Sequence, residues 1–206
     1  MRIGVVADTH CPEFMDELPP RLFEQLRGVD LILHAGDVGG LETLDRLREV
    51  APVEAVRGDH DRDLTSLPLV RELDLDGHRV ALVHGNRTRL IEEPVTFLGT
   101  ITLGYWWPAG GVSRALRRRF PAADLIVHGH THEPRADSVD GALVLNPGAV
   151  YQVDREAALR RLARRPGWFE WSWLQVIRHR RRVPRPTIAV VELGSGPPLV
   201  RFLPLD

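Results

Sequence analysis

The chain contains no lysine, a single cysteine and almost no net charge. All 27 basic residues are arginines, and 28 acids balance them to a formal net charge of −1, so bulk charge predicts no class of partner. Because Cys11 is the single cysteine, the chain cannot form an internal disulfide, which fits a reducing compartment. We interpret Cys11 as a bystander thiol, although it follows a candidate metal ligand.

Long apolar runs are also missing. No stretch approaches the roughly 18 consecutive apolar residues that a membrane-spanning helix needs. The chain starts with an apolar, β-branched stretch instead of the basic segment and apolar core of a signal peptide. We therefore expect a cytoplasmic protein. Its 206 residues are enough for a single domain, residues 1–206, with a sizeable core.

Apolar runs alternate with helical spacing in the first part of the chain. Strands are predicted at 2–7, 31–35 and 53–56, and helices between them at 19–27 and 41–50. This β-α-β-α-β order favours a parallel sheet with helices on its faces.

The later part of the chain has a different pattern, with two hairpin signals. Asp76-Gly77 and Asp140-Gly141 each separate two apolar runs by two residues. Further strands at 123–128, 187–193 and 199–203 bring the total to nine or ten, which is more than one twisted sheet holds comfortably. We therefore expect an α/β fold with two packed sheets and helices outside them.

One segment, at about 154–185, differs in composition and reads as a helical insertion. It holds ten arginines and three acids, a local net charge of +7, together with a cluster of tryptophans. Three interpretations stay open. The insertion could form a cap or a homodimer interface, guide nucleic acid or another polyphosphate, or rest on an anionic membrane surface.

Six short segments with metal-ligand chemistry are the most informative feature, and most of them follow a predicted strand. Strand ends can converge at one sheet edge, and a mixed set of histidines and aspartates suits Mn, Fe or Zn, with room for two ions. The segments are Asp8-Thr9-His10, Gly36-Asp37, Gly58-Asp59-His60-Asp61, His84-Gly85, Gly129-His130-Thr131-His132 and Asn146-Pro147-Gly148.

Each of these residues has an ordinary structural explanation when it is considered alone. An aspartate after a strand is usually a turn or helix-cap residue, and a lone histidine is usually a hydrogen-bonded structural residue. We assign four other histidines to that class: His34, His78, His128 and His179. The repeated Asp-x-His and His-x-His spacing at consecutive strand ends favours a metal site instead. In an extended backbone, Asp8 and His10 would point to the same side.

In this order the motifs resemble the calcineurin-like metallophosphoesterase superfamily. The short chain and its Asn146-Pro147-Gly148 segment look like the small bacterial and archaeal phosphodiesterase branch, and the similarity covers residues 2–150. The resemblance implies a four-layer α/β/β/α sandwich of two mixed β-sheets flanked by helices. It also implies two divalent metal ions (Mn, Fe, Zn or Ni, with Mn favoured) at the strand ends.

The resemblance assigns a role to each residue. One ion would be held by Asp8, His10, Asp37 and His132. The other would be held by Asp37, Asp59, His84 and His130, so that Asp37 bridges the pair. His60 would face the substrate, steadying the phosphate or protonating the leaving oxygen, and Asp61 would orient its imidazole.

The implied function is a metal-dependent phosphoesterase, more specifically a phosphodiesterase, in which a hydroxide held by two ions attacks phosphorus in line. One departure matters, because Asp59 stands where the family usually has asparagine, and a carboxylate offers no N–H to a phosphate oxygen. The alternative is a non-catalytic metal-binding scaffold, the role that a retromer subunit of the superfamily has. Tyr105-Trp106-Trp107 would be either an aromatic wall near the site or a packed surface loop.

Overall fold

The structure is a computed structural model that describes residues 1–85, 111–179 and 184–206. Two parts of the sequence interpretation lie outside the described residues: Tyr105-Trp106-Trp107, for which an aromatic wall and a packed surface loop both stay open, and residues 180–183 of the predicted helical insertion. The chain divides into two compact units. The first comprises Met1–Asn86, Val112–Tyr151 and Arg185–Asp206, and the second comprises Arg87–Gly111 and Gln152–Pro184.

The first unit holds ten strands and three helices among the residues that the structure describes. The strands are β1 (Arg2–Val6), β2 (Leu31–His34), β3 (Val53–Ala55), β4 (Val70–Leu75), β5 (His78–Val83), β6 (Leu125–Val127), β7 (Arg135–Val139), β8 (Ala142–Asn146), β9 (Thr187–Glu192) and β10 (Leu199–Pro204). The helices are α1 (Pro20–Gln25), α2 (Leu41–Arg48) and α3 (Val112–Arg119). The predicted elements in this range are confirmed to within a few residues at each end.

Two five-stranded sheets form the centre of this unit, in the orders β10-β9-β1-β2-β3 and β4-β5-β6-β8-β7. In the first sheet β1, β2 and β3 are parallel, and β9 and β10 run antiparallel to their neighbours. In the second sheet β5, β6 and β8 are parallel, and β4 and β7 are antiparallel edge strands. The predicted pair of mixed sheets is therefore confirmed.

Three buried clusters explain the layer order. The cluster between the sheets joins side chains of both, such as Leu33 with Leu82 and Val127. On the outer face of the first sheet, Leu22 of α1 packs with Ile32 in a second cluster that also includes Leu47 of α2. A third cluster includes Leu116 of α3 and Ile126, on the outer face of the second sheet. Because strands buried on both faces need apolar side chains on both, β1, β2 and β6 appear in the sequence as continuous apolar runs.

The two Asp-Gly turns close hairpins as predicted. Asp76 and Gly77 join β4 to β5 with φ of 54° and 78°, and Asp140 and Gly141 join β7 to β8 with φ of 46° and 80°. Two consecutive residues with positive φ are what a tight turn of this kind requires, and aspartate and glycine tolerate that conformation.

The described part of the second unit contains two helices, α4 (Arg155–Ala163) and α5 (Trp168–His179). Asp154 caps α4 by accepting a hydrogen bond from the backbone N–H of Ala157 at 2.6 Å. Leu159 and Trp171 are almost half exposed. The last part of this unit, 152–184, nearly coincides with the predicted insertion, whose place in a single domain stays a prediction. Every helix that the structure describes is too short or too polar to cross a bilayer.

Candidate metal centre

The candidate ligands follow five parallel strands, three from the first sheet and two from the second. Asp8 and His10 come after β1, Asp37 after β2 and Asp59 after β3. In the second sheet, His84 directly follows β5, and both His130 and His132 come after β6. The remaining strand, β8, ends at Asn146. Because the carboxyl ends of neighbouring parallel strands share one edge, residues far apart in sequence meet there.

The structure brings these side chains into four overlapping groups whose ligand atoms lie within 4.8 Å of one another. The groups are Asp8, His10 and His132; Asp59, His84 and His130; Asp8, Asp37 and His84; and His10, Asp37 and His60. Each of the first two groups matches one of the ligand sets predicted from the family resemblance, without the bridging residue Asp37. Asp37 belongs to two groups, as a bridging carboxylate would. The assignment of the individual ligands stays a prediction.

The separations between donor atoms suit a shared cation better than direct hydrogen bonds. His132 Nε2 lies 3.5 Å from Asp8 Oδ1, and His130 Nδ1 lies 3.4 Å from Asp59 Oδ2. His84 Nε2 lies 3.3 Å from Asp37 Oδ2. Two donors that each lie about 2.1 Å from one ion are about 3.0–3.4 Å apart, so these pairs are spaced as ligands of a common metal would be.

His84 provides the sharpest test of whether a metal fits. Its Nδ1 lies 2.8 Å from the carbonyl oxygen of Ala35, which turns Nε2 toward the carboxylates. In the described part of the chain, this buried Nε2 has no hydrogen-bond partner. A buried polar atom without a partner is costly, and metal-ligating histidines usually donate their other ring N–H to a carbonyl or carboxylate. The donor set therefore fits a divalent metal ion.

Glu13 is a site residue that the sequence analysis missed. Its carboxylate lies between two rings, with Oε2 3.3 Å from His10 Nδ1 and Oε1 2.9 Å from His60 Nδ1. Through the first contact it leaves His10 Nε2 facing Asp37, 3.6 Å from Oδ2. The sequence signal for its contact with His10 was its position three residues later in the chain. Its contact with His60 spans 47 residues and depends on the fold.

Asp61 contacts backbone N–H groups of two loops, whereas the family resemblance implied that it would orient the imidazole of His60, a role that stays a prediction. Its buried carboxylate accepts backbone hydrogen bonds from Val38 at 2.9 Å, Gly39 at 3.0 Å and Gly58 at 2.7 Å. These contacts hold the loop after β2 against the loop after β3. Asp61 therefore positions the ligand loops, and the group beside the imidazole of His60 is Glu13.

Two glycines allow the strand ends to approach this closely. A methyl group at Gly58 would overlap the backbone and carboxylate of Asp37, and one at Gly129 would lie 2.9 Å from Asp8 Oδ2. Asn146 supports the same region, because its side-chain N–H₂ donates to the Gly129 carbonyl oxygen at 2.7 Å and to Thr131 Oγ1 at 2.9 Å. The glycines flanking the motifs thus provide space where a side chain would displace a ligand.

The backbone at Asp8 and His10 does not have the extended conformation that would point both side chains to the same side. Both have a left-handed conformation, with φ of 52° and 46°. Their N–H groups donate to the carbonyl oxygens of Gly36 and Asp37, at 3.0 Å each, which fixes the loop. The other candidate ligands with positive φ are Asp37, His130 and His132. Such strain concentrates at functional sites, where surrounding contacts maintain it.

Burial and neighbouring charges shift the protonation of the carboxylates in opposite directions. Burial raises the pKa of Asp8 to about 7, although the ring of His84 opposes this shift. Burial alone would also raise the pKa of Asp37, but the adjacent His84 and the backbone N–H of His60 hold it well below its usual value. The ring of His130 lowers the pKa of Asp59. The pKa values of neighbouring aspartates are thus shifted in opposite directions.

The histidines are tuned in the same way. Burial by itself lowers the pKa of His84, but the carboxylates of Asp37 and Asp8 outweigh it and raise this pKa to about 9. Burial lowers the pKa of His10 and of His132, which favours their neutral, metal-binding form. The site without metal therefore balances its buried carboxylates with protons, which a cation would replace.

The histidines that we assigned to structural roles have structural partners. His34 is buried, with Nε2 3.0 Å from Thr9 Oγ1. His128 Nδ1 lies 3.0 Å from the carbonyl oxygen of Gly129. His78 contacts backbone carbonyls of Asp76 and Gly196, and His179 contacts that of Gln175. Burial lowers the pKa of both His34 and His128 to about 4, so both rings are neutral at physiological pH.

Comparison with known proteins identifies relatives of this chain. A probable metallophosphoesterase of Methanothermobacter thermautotrophicus is 35% identical over 151 residues, which cover 72% of this chain and 77% of that protein. A phosphodiesterase of Methanocaldococcus jannaschii is 23% identical over 167 residues, covering 72% of this chain and 83% of that protein.

Solved structures share the fold. Wild-type Vps29 of Entamoeba histolytica, complexed with Zn²⁺, superposes with a TM-score of 0.64 at 19% identity and full coverage of both chains. At that identity the likeness concerns the fold alone. The family model for the calcineurin-like phosphoesterase superfamily domain matches residues 1–161, which include every candidate ligand. The chain therefore belongs to the calcineurin-like phosphoesterase superfamily.

Proposed function

We propose that the protein is a metal-dependent phosphodiesterase with a dinuclear centre. The observation that carries the proposal is the convergence of histidines and aspartates from both sheets around the buried Nε2 of His84, which makes no hydrogen bond within the described part of the chain and lies 3.3 Å from Asp37 Oδ2. One ion would be held by Asp8, His10, Asp37 and His132. The second would be held by Asp37, Asp59, His84 and His130. When bound, two divalent ions would supply the Lewis acidity that activates water and neutralises phosphate oxygens.

The reaction is hydrolysis of a phosphate ester, and His60 is the residue that we assign to proton transfer. A water oxygen forms a new bond to phosphorus, and the bond to the leaving oxygen breaks with its electron pair. His60 is 43% exposed and its Nδ1 lies 2.9 Å from Glu13 Oε1, so its imidazolium form would donate the Nε2 proton to that leaving oxygen, and the proton that the attacking water releases would restore the imidazolium. The products are a phosphate monoester and an alcohol.

The preference for diesters rests on the relatives. The phosphodiesterase of Methanocaldococcus jannaschii and the resemblance to the small bacterial and archaeal branch both favour it. Manganese is the metal that we expect, because the mixed nitrogen and oxygen donors are compatible with it. The cytoplasmic location stays a prediction.

The proposal is tested with metal-replete protein and chromogenic esters. Hydrolysis of bis(p-nitrophenyl) phosphate and p-nitrophenyl phosphate is measured with Mn²⁺, and bound metal is measured separately by elemental analysis. We expect faster turnover of the diester, loss of metal and turnover in Asp37→Ala, and loss of turnover with retained metal in His60→Ala. Asp63→Ala and His78→Ala are the matched controls, since neither residue belongs to the four ligand groups. Metal-replete protein that cleaves neither ester would contradict the proposal.

The second candidate is a non-catalytic metal-binding interaction protein on the same fold. Asp59 favours it, because a third carboxylate around two divalent cations lowers the net charge of the site and so its strength as a Lewis acid. Asp59→Asn separates the two candidates: turnover rises if this carboxylate restrains an enzyme, and stays absent if the protein is a scaffold.

The arginine-rich helices α4 and α5 are the region that we assign to a partner. Their surface includes Leu159 and Trp171 together with several arginines, which suits either a second copy of the chain or an anionic partner. Sedimentation measured at rising salt distinguishes these partners, because self-association through apolar contacts survives salt, whereas binding to nucleic acid or anionic vesicles weakens.

A further inference from the structure

Phe14 is an exposed aromatic residue at the edge of the candidate metal centre. It is 43% exposed, although its neighbours Met15 and Leu18 pack into the core beneath the first sheet. Its ring stacks on His10 with centroids 5.0 Å apart and planes at 30°. It also meets the edge of His60 at 5.4 Å. Phe14 therefore adjoins both a candidate ligand and the candidate proton donor.

Tyr151 extends this aromatic surface. Its ring lies 5.4 Å from that of Phe14 and 5.8 Å from that of His10. The Tyr151 backbone N–H donates to the carbonyl oxygen of Asp8 at 3.0 Å, and that of Phe14 donates to His10 at 2.7 Å. Both rings are thus fixed to the backbone of the ligands after β1. We call Phe14 and Tyr151 the aromatic platform.

The chemistry beside the platform narrows what it could bind. Glu13, whose carboxylate contacts both His10 and His60, places negative charge next to the ring of Phe14. A negative charge repels an additional phosphate but accepts hydrogen bonds from the amino and imino groups of a base. A flat ring presents its face to another flat ring at little conformational cost. These features favour a nucleobase over a lipid chain or a polyphosphate.

We propose that the aromatic platform is a stacking subsite for a nucleobase of the substrate. The nucleoside that carries this base would be the group attached to the phosphate on the side facing His60. The substrate class would then be nucleoside phosphodiesters. This inference rests on the proposed function, since the phosphate must be held at the metal centre for the base to reach Phe14. Stacking on an aromatic side chain strengthens binding of one base by roughly five- to 150-fold. The platform would therefore act as a specificity determinant, separate from the groups that perform hydrolysis.

The test compares two phosphate ligands by calorimetry in the presence of excess Mn²⁺. Thymidine 3′-monophosphate carries a base, and methyl phosphate does not. We expect the wild-type protein to bind the nucleotide at least about tenfold more tightly. Phe14→Leu should lose most of that preference with unchanged affinity for methyl phosphate, and Phe14→Tyr should retain it. Phe202→Leu is the control, because Phe202 is similarly exposed, at 37%, but lies on the edge strand β10.

The outcomes separate this inference from the proposed function. Equal affinity of the wild-type protein for both ligands, or a Phe14→Leu variant that loses affinity for both, would overturn the stacking subsite. Hydrolysis of dithymidine monophosphate is measured in parallel. If the protein hydrolyses dithymidine monophosphate but does not prefer the nucleotide over methyl phosphate, the phosphodiesterase proposal is supported and the stacking subsite is contradicted. If the protein prefers the nucleotide through Phe14 but does not hydrolyse dithymidine monophosphate, the stacking subsite is supported and the phosphodiesterase proposal is contradicted.

Discussion

Asp8 and Asp76 have nearly the same backbone conformation, with φ of 52° and 54°, but lie in opposite environments. Asp76 forms the turn between β4 and β5, where its side chain is 47% exposed and pairs with the N-terminal amine at 3.1 Å. Asp8 is completely buried among histidines and another carboxylate. The same residue in the same conformation is a turn in one place and a candidate ligand in the other. Burial and convergence mark the functional site, and residue type alone does not.

The glycines of the two regions differ in the same way. Gly77 and Gly141 are needed for their positive φ, and a methyl group at either would meet nothing within 4 Å. Gly58 is needed for space, because a methyl group there would overlap Asp37. Hairpin glycines therefore serve the fold, and the glycine after β3 serves the geometry of the site.

The first prediction sharpens this contrast at Gly58. Gly58→Ala should push the carboxylate of Asp37 out of place, because the new methyl group overlaps Oδ1 and the backbone nitrogen of Asp37. We expect Mn²⁺ affinity to fall about 100-fold, the upper range for a lost supporting contact at a metal site. Affinity is measured by competition with a fluorescent chelator.

Gly194→Ala is the matched control for this substitution. An added methyl group at Gly194 meets no described atom within 4 Å, and the residue is exposed. Unchanged Mn²⁺ affinity in Gly58→Ala would show that the close approach of the strand ends does not position Asp37 for a metal.

The second prediction concerns the stability of the metal-free protein. Because burial raises the pKa of Asp8 from 3.8 to about 7, the folded state binds more protons than the unfolded state between these values. The contribution of Asp8 to the free energy of unfolding is therefore greatest at low pH, and it declines as the pH rises to about 7. Asp8→Asn should stabilise the chelator-treated protein at pH 8 by about 2–4 kcal/mol, with little gain at pH 4. Urea unfolding at both values measures this difference.

Two comparisons make the test specific to a buried ligand. Asp76→Asn should not stabilise the protein at either pH, because its carboxylate is half exposed and paired with the N-terminal amine. Added Mn²⁺ should stabilise the wild-type protein and have less effect on Asp8→Asn. An equal gain from both substitutions would mean that burial of Asp8 carries no special cost.

The sequence predicted the features that depend on neighbouring residues. Both Asp-Gly hairpins and the alternating strands and helices are local patterns, and the structure confirms them together with the pair of mixed sheets. The order of the ligand motifs was also readable, because each follows a strand. The family and its fold followed from that order and are shown by the comparisons.

The features that depend on contacts between distant segments were not predictable in this way. Asp8 and His10 have a left-handed backbone because their N–H groups bond to the loop after β2, and local spacing gave no sign of this. Glu13 reaches His60 across 47 residues, and Asp61 bonds to loops rather than to the adjacent imidazole. Sequence spacing indicates which side chains could meet but not which one turns toward which.

The third prediction, with the smallest effect, returns to a hairpin. Gly141→Ala places a side chain at φ of 80°, a conformation that costs an L-residue about 1–2 kcal/mol. We expect the free energy of unfolding to fall by about 1 kcal/mol, with unchanged Mn²⁺ affinity and unchanged hydrolysis, because the turn lies outside the candidate site. Gly77→Ala in the other hairpin should behave alike. Urea unfolding measures the free energy of unfolding, and chelator competition measures the Mn²⁺ affinity of the same samples. A loss of Mn²⁺ affinity in either variant would contradict the distinction between a turn that shapes the sheet and a loop that holds the metal.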